Sequence, residues 1–488
     1  MNLEAATRFG TTRPTVPLID SPTIACGNAL RLDWRDVLPP EQCSYVLGNP
    51  PFTGYTYQTA EQKSDMELIF GKLKGAGVLD YVACWYAKAA SYIHANPSVE
   101  VAFVSTNSIT QGEQVAILWG HLLAQGIRIR FAHRTFQWNN EGIGIAAVHC
   151  VIVGFDLNEP KQRAIFDYGD NIKGEPVAIA ARNINPYLVD APTVLLDKRR
   201  APICAAPEMT KGSQPTDGGN LLLSDAEKQA LLQAEPQAKK WIRPFLGADE
   251  FINNIPRWCL WLKGIAPTEL RAMPQVMKRV EAVKTMRLVS TKAATVELAS
   301  TPTLFGEDRQ TDQPYLLIPS VSSENRKFIP IGYMQPKVIA SNLVFMLPNA
   351  TLYHFGILCS TMHNAWMRTV CGRLKSDYRY SNTIVYNNFP WPDATDKQRQ
   401  AIEATARAVL DARAQFPTAT LADLYDPLAM PPELSKAHQA LDRAVDAAYG
   451  KKSFVSEAER VALLFERYRQ LTSLLPATPP KKSRKRSI

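Results

Sequence analysis

The chain reads as an α/β protein carrying at least the second half of a doubly wound sheet, then a mixed α+β region, then a helical end. Three observations predict this. Strand-like and helix-like runs alternate up to about residue 156. From about 157 to Pro392 the pattern turns irregular, with many prolines and short strand-like runs. From 393 it becomes helical. Alternation of strand and helix marks a sheet covered by helices on its faces.

The first strand is Tyr45-Val46-Leu47-Gly48, apolar and β-branched at Val46. It reads as short and buried, and it stops at Gly48 and two prolines that cannot continue a ladder. A helix follows near Val78–Ile93, with Leu79, Val82, Tyr86, Ala89 and Ile93 on one face. Next come a strand Val99–Ser105, a helix Gln114–Gln125, a strand Ile127–His133 and a strand Ala147–Phe155. The irregular region holds the loop Pro215–Asn220, with Gly218-Gly219, and Trp241, Trp258, Trp261 and Trp366. Three helices close the chain. One covers Asp396–Gln415. A second runs from Pro432, suited to a first turn, to Gly450, a natural C-cap. The third opens with Ser456-x-x-Glu459, a capping-box pattern, and ends near Leu471. The expected divisions are 1–156, 157–392, 393–476 and a disordered basic tail, 477–488.

Composition narrows the class. A chain of 488 residues suggests two to four domains, at roughly 100–200 residues each. It is 46% hydrophobic and 21% charged, an ordinary globular mix. No apolar run reaches the ~18 residues of a membrane helix. The start, MNLEAATRFG, lacks an apolar signal core. The expectation is a cytoplasmic protein with no membrane partner. Eight scattered cysteines lack CxxC spacing, so buried free thiols are expected, with no metal site. The net charge is +9, of which Lys481, Lys482, Arg484, Lys485 and Arg486 supply five, leaving +4 on the body. That balance points weakly to a polyanion.

The chemistry lies in Asn49-Pro50-Pro51-Phe52. An Asn at a strand end, stiffened by prolines and followed by an aromatic, can grip the exocyclic amine of a flat base. The N6 amine of adenine is a poor nucleophile because its lone pair is delocalised. The Asn49 side-chain oxygen and the Pro50 carbonyl can each accept one N–H, which localises that pair. Phe52 can stack on a base that has left the duplex. Phe136 and Trp138, in HRTFQW, are candidates for its other face. The same four residues also read as a stiffened turn, and Phe136 and Trp138 as packing residues. On sequence alone both readings stand.

These residues carry a family resemblance. Asn49–Phe52 resembles motif IV of adenine-specific DNA methyltransferases. Gly27-Asn28-Ala29-Leu30 resembles motif III, Leu79-Asp80-Tyr81 motif V, and Ala102–Asn107 motif VI. Phe136–Asn139 and Val148–Phe155 resemble motif VIII and its strand. The order is that of the γ class. The resemblance implies a Rossmann-like methyltransferase sheet, S-adenosylmethionine as donor, and Asn28 and Asp80 as cofactor contacts. It extends to the MmeI-like (type IIL) restriction-modification family through STNSITQGEQ, FQWNNEGIG, DGGNLLLS, IRPFLGADEFI, RWCLWL, GRLKSDYRYS and YNNFPWP, and covers about residues 2–470. It implies a target-recognition domain after the methyltransferase and double-stranded DNA as partner.

One departure is large. Only 48 residues precede Asn49, and a glycine-rich donor loop is not found there. Residues 393–476 contain one glycine, Gly450, so a permuted loop is not found either. Lys74-Gly75-Ala76-Gly77 lacks a preceding buried strand. The chain is therefore expected to resemble the C-terminal half of such an enzyme, with an incomplete donor pocket and a separately encoded N-terminal half as a possible partner.

Arg373-Leu374-Lys375-Ser376-Asp377-Tyr378-Arg379 is the candidate DNA-reading segment. If it is extended, Lys375 and Asp377 share a face. Lysine can donate to guanine and aspartate can accept from cytosine N4, reading one G·C pair. The resemblance places a base-reading pair here; a solvated Lys–Asp pair on a loop is the alternative. Arg373 and Arg379 are expected at phosphates, or at nothing. Two functions follow: an adenine-N6 DNA methyltransferase, or a non-catalytic, sequence-specific DNA-binding protein. A protein-glutamine methylase also uses such a turn, but the long recognition-type region and basic balance argue against it.

Overall fold

The computed structural model describes residues 22–138, 148–169 and 171–473, together with Thr7. Its first part is a mixed six-stranded sheet. The strands are β1 (Tyr45–Gly48), β2 (Glu100–Thr106), β3 (Arg128–Trp138), β4 (Val148–Asp156), β5 (Arg163–Asp167) and β6 (Val177–Ala181). Their order is β1-β2-β4-β3-β5-β6. β1 runs parallel to β2, and β3 to β5. β4 is antiparallel to both its neighbours. Helices Ala83–Ile93 and Gln114–Ala124 connect β1 to β2 and β2 to β3. Tyr86, Trp119, Phe103 and Phe155 are fully buried between these layers. Burying side chains of this size supplies roughly 1.5–3 kcal/mol each before the entropy of ordering them.

This topology positions the site. The carboxyl ends of β1, β2 and β3 and the amino end of β4 share one edge of the sheet. Cys150 of β4 lies opposite Thr106 of β2 on one side and Phe136 of β3 on the other. Ligands of open α/β sheets bind at such carboxyl ends.

Three expectations change. β1 is not buried: it is an edge strand, with Tyr45 66% and Leu47 74% exposed. A four-residue apolar run does not distinguish a central strand from an edge. The sheet does not close at residue 155, because β5 and β6 extend it to Ala181. A helix at Ala60–Phe70 was unforeseen because its apolar stripe is weak. Its signal was Thr59-x-x-Gln62, which forms a reciprocal capping box.

The irregular region contains two four-stranded sheets and one of three strands. Part of it has its own core, where Val276, Val280 and Val283 of helix Pro274–Leu288 pack with Leu221, Leu223, Phe245 and Leu260. The closing helices are Asp396–Ala414, Pro432–Ala448 and Glu457–Ser473. They pack with helices Leu352–Cys359 and Thr361–Val370 in a core continuous with that of the first sheet. Packing therefore runs unbroken across residue 392. Ser456 Oγ caps the third helix, accepting from Glu459 N at 3.2 Å. None of the eight cysteines forms a disulfide, and six are buried. Among the described residues no helix is long and apolar enough to cross a membrane. No cluster of metal-ligating side chains occurs among them. The basic tail lies outside the described residues.

Candidate functional site

At the end of β1, Gly48 makes room for a close approach: a Cβ there would lie 3.1 Å from the Phe103 ring. Asn49 is exposed, Pro50 buried, Pro51 exposed and Phe52 half-buried. Among the described residues the Asn49 side chain makes no hydrogen bond. Its amide is thus rigidly rooted and chemically free.

The loop after it is pinned by Asp80, which is buried. Asp80 Oδ1 accepts from Tyr55 N at 3.2 Å and from Gln114 Nε2 at 3.1 Å. Asp80 Oδ2 accepts from Thr106 Oγ1 at 3.2 Å, and Asp80 N donates to Gln114 Oε1 at 3.0 Å. Tyr81 N donates to Thr53 O at 2.9 Å. One carboxylate therefore joins the Asn49–Tyr55 loop, the end of β2 and the start of helix Gln114–Ala124. Thr106 and Gln114 were not foreseen as part of the site. Thr106 lies inside the motif VI-like run and Gln114 closes the family-resembling run STNSITQGEQ, but neither run singled out the side chain that meets Asp80.

The two residues expected to hold the methyl donor are engaged within the chain. Asn28 Nδ2 donates to Asp65 Oδ2 at 2.9 Å, and Asn28 Oδ1 accepts from Leu30 N at 3.0 Å. Asp65 also accepts from Arg31 Nε at 2.7 Å and from Tyr81 Oη at 2.6 Å. Burial pushes the Asp65 carboxyl up, but the hydrogen bonds from Tyr81, Arg31 and Asn28 outweigh it and hold it below the usual range. Gly75 is left-handed (φ 90°), and a Cβ there would meet Ile117 at 3.0 Å, so its bareness serves packing.

Phe136 stacks on Tyr168, with ring centroids 5.2 Å apart, and meets His133 edge-on at 6.3 Å. It lies at the same edge of the sheet as the end of β1, with β2 and β4 between its strand and β1. Trp138 pairs with Val148 through its backbone, and its side chain lies outside the described residues, as does the loop Asn139–Ala147.

The reading segment is a tight hairpin, not an extended strand. Gly372–Leu374 pairs with Asp377–Arg379, leaving Lys375-Ser376 as the turn. Lys375 sits at the tip with φ 56°, a conformation costing roughly 1–2 kcal/mol in a side-chain-bearing residue. Lys375 and Arg379 are exposed. Asp377 Oδ1 accepts from Glu324 N at 3.3 Å. Arg373, expected at phosphate or at nothing, is engaged inside the chain. Its guanidinium stacks over Tyr378 at 4.0 Å, donates to Ser376 O and lies 3.4 Å from Glu324.

Comparison with known proteins agrees with this layout. Residues 1–167 match the family model for the DNA-methyltransferase domain of MmeI, residues 190–393 its target recognition domain, and residues 394–476 its C-terminal domain. The chain belongs to the MmeI-like family. It is 40% identical over 462 residues to DNA methyltransferase A of Bacillus subtilis (strain 168), covering 94% of this chain and 52% of that protein. The solved structure of the type IIL restriction-modification enzyme MmeI in complex with DNA superposes with a TM-score of 0.86 at 52% identity. That match covers 97% of this chain and 63% of the MmeI chain. The chain thus spans between half and two thirds of these relatives' lengths. The family match reaches residue 1, so the methyltransferase resemblance is not confined to the motifs around Asn49.

Proposed function

We propose that this MmeI-like chain supplies the base-gripping and sequence-reading parts of a site-specific DNA adenine-N6 methyltransferase of a restriction-modification system. The observation that carries the reading is the free, exposed Asn49 amide beside buried Pro50, at the carboxyl end of β1. The Asn49 Oδ1 and the Pro50 carbonyl accept the two N–H groups of a flipped adenine, aiming the nitrogen lone pair outward. Phe52 stacks on one face of the ring, and Phe136 and Trp138 are the candidates for the other. Asp80, with Thr106 and Gln114, positions this loop rather than the cofactor.

S-adenosylmethionine is the donor that a methyltransferase domain implies. Its pocket is incomplete here, because Asn28 and Asp80 are already engaged. The open edge of β1, with Tyr45 and Leu47 exposed, suits a further parallel strand. A segment bearing a glycine-rich donor loop is the proposed occupant. Double-stranded DNA is read by the hairpin. Lys375 donates from the tip to guanine, and the Asp377 oxygen not bonded to Glu324 accepts from cytosine. Arg379, exposed, approaches phosphate.

A second reading is a sequence-specific DNA-binding protein without catalysis, favoured by the engaged Asn28 and Asp80. One experiment separates the two. Genomic DNA from cells carrying the native gene is sequenced for N6-methyladenine, with and without Asn49→Ala. We expect one methylated motif, reduced at least about 100-fold by the substitution. A motif that persists unchanged removes Asn49 from the chemistry. A chain that binds one site tightly but leaves it unmethylated establishes the second reading.

A further inference from the structure

We infer that Glu324 is a positioning residue for sequence reading: it fixes the Gly372–Arg379 hairpin against the methyltransferase sheet, and so sets the distance between the base pair that is read and the base gripped at Asn49. The inference rests on the DNA-reading role proposed for that hairpin.

Glu324 follows the short strand Val321–Ser322, which pairs with the hairpin strand Asp377–Arg379. It touches both hairpin strands. Its backbone N–H donates to Asp377 Oδ1 at 3.3 Å, and its Oε2 lies 3.4 Å from Arg373 Nη1. Arg373 in turn braces the turn, donating to Ser376 O. The same Oε2 lies 3.4 Å from His149 Nε2. His149 belongs to β4, opposite Gln137 of β3, at the edge of the sheet where Asn49 sits. One carboxylate therefore spans the recognition hairpin and the modification sheet.

A second contact makes the joint stiff. Gly112, in the loop after β2, donates its N–H to Val370 O at 3.1 Å. A Cβ on Gly112 would lie 3.2 Å from Gly372 Cα, and Gly112 has φ 63°. Backbone meets backbone at the root of the hairpin, and Glu324 holds it nearer the tip.

The cluster is built for position rather than stability. Its charged contacts are long, and Arg373 Nε is buried without a partner. Partly buried ion pairs of that kind stabilise little. Burial holds His149 below its usual range, with Glu324 opposing and Arg373 reinforcing the shift. Near neutral pH the ring is therefore uncharged against Glu324, and the carboxylate's charge is left to Arg373.

The test is selection from a random duplex DNA library by the purified full chain, followed by sequencing of the bound fraction. Wild type, Glu324→Ala and Glu324→Gln are compared, with thermal unfolding run on each. We expect wild type to select one motif. Glu324→Ala should lose about tenfold or more in preference at the one or two positions the hairpin reads, retain the other positions, and keep total affinity within about threefold. Glu324→Gln keeps the backbone donor and one side-chain hydrogen bond, so it should fall between the two. If Glu324→Ala does not fold, Glu324→Gln alone decides. A motif unchanged at every position overturns the inference. So does a uniform loss of binding across all sequences in a folded variant. A wild-type chain that selects no motif overturns the proposed reading role, and the inference with it.

Discussion

Arg287→Met should unfold one part of the recognition region while sparing the rest. Arg287 is fully buried in helix Pro274–Leu288, and its partners are carbonyls rather than a carboxylate. Nε donates to Thr216 O at 2.9 Å. Nη1 donates to Leu298 O at 2.8 Å and Thr301 O at 3.0 Å. Nη2 donates to Pro215 O at 3.0 Å and Leu304 O at 2.8 Å. Three of these carbonyls have a second donor, since Gly306 N, Thr301 N and Leu304 N donate to Pro215 O, Leu298 O and Thr301 O. Thr216 O and Leu304 O have no backbone donor and would be left bare. Each unsatisfied buried carbonyl costs about 1–3 kcal/mol, so the loss is roughly 2–6 kcal/mol. Methionine fills similar length and removes the cost of burying a cation, which places the expectation near 3 kcal/mol. The assay is urea unfolding followed by tryptophan fluorescence, because Trp241, Trp258 and Trp261 pack against this core. The core is separate from the main one, so its transition should move to lower urea while far-ultraviolet dichroism of the helical end stays in place. A shift below about 1 kcal/mol would show that the five contacts are replaceable, and would refute the argument.

Two further outcomes follow from the same reasoning. Lys375→Gly removes a side chain from a left-handed turn position and should stabilise the hairpin by up to about 1 kcal/mol, while relaxing preference at one base pair in a library selection; gained stability with an unchanged motif would exclude Lys375 from reading. Folding stability should also fall between pH 7.5 and 5. His363 and His438 are fully buried, and burial pulls each imidazole down to about 3. The unfolded chain protonates near 6.5 while the folded chain stays neutral, so stability present above pH 6.5 is lost as the pH falls below it. The loss is about 2 kcal/mol per histidine at pH 5, and replacing both with Gln should flatten a urea-midpoint-versus-pH plot over that window.

The parts of this chain that were legible in sequence are those governed by local rules. The closing helices announce themselves through Pro432, Gly450 and Ser456, and their bounds moved by a residue or two. The Asn49 turn was legible because prolines and a strand end force one geometry. Solvent exposure of β1 was not legible, because it depends on which strands lie beside Tyr45–Gly48. Lys375 and Asp377 were misplaced for a different reason. Period-two reasoning holds only within one strand, and Leu374 pairs with Asp377 across a turn. The ties of Asn28 to Asp65 and of Arg373 to Glu324 are likewise invisible in sequence. They join residues 37 and 49 apart, and both use side chains that sequence reasoning had reserved for a ligand.

Those two ties bear on how gripping and reading are coupled. A methyltransferase that grips one base and reads another must hold the two sites at a fixed spacing. A flexible linker would let the reading hairpin accept a site one base pair away. Here the hairpin root abuts Gly112, in the loop after β2, and its tip is held through Glu324 to His149 on β4. Asp80 binds the end of β2 to the Asn49 loop. From Lys375 to Asn49 the path therefore runs through backbone contacts and side chains half-buried or better, with no unsupported loop between. A site slipped by one base pair would have to move the hairpin by about 3.4 Å against the Gly112–Gly372 contact, where even a Cβ added to Gly112 would lie only 3.2 Å from Gly372 Cα. On the proposed function, spacing between the read pair and the gripped base is thus a property of packing, and substitutions at the hairpin tip are expected to alter which base is read without altering where.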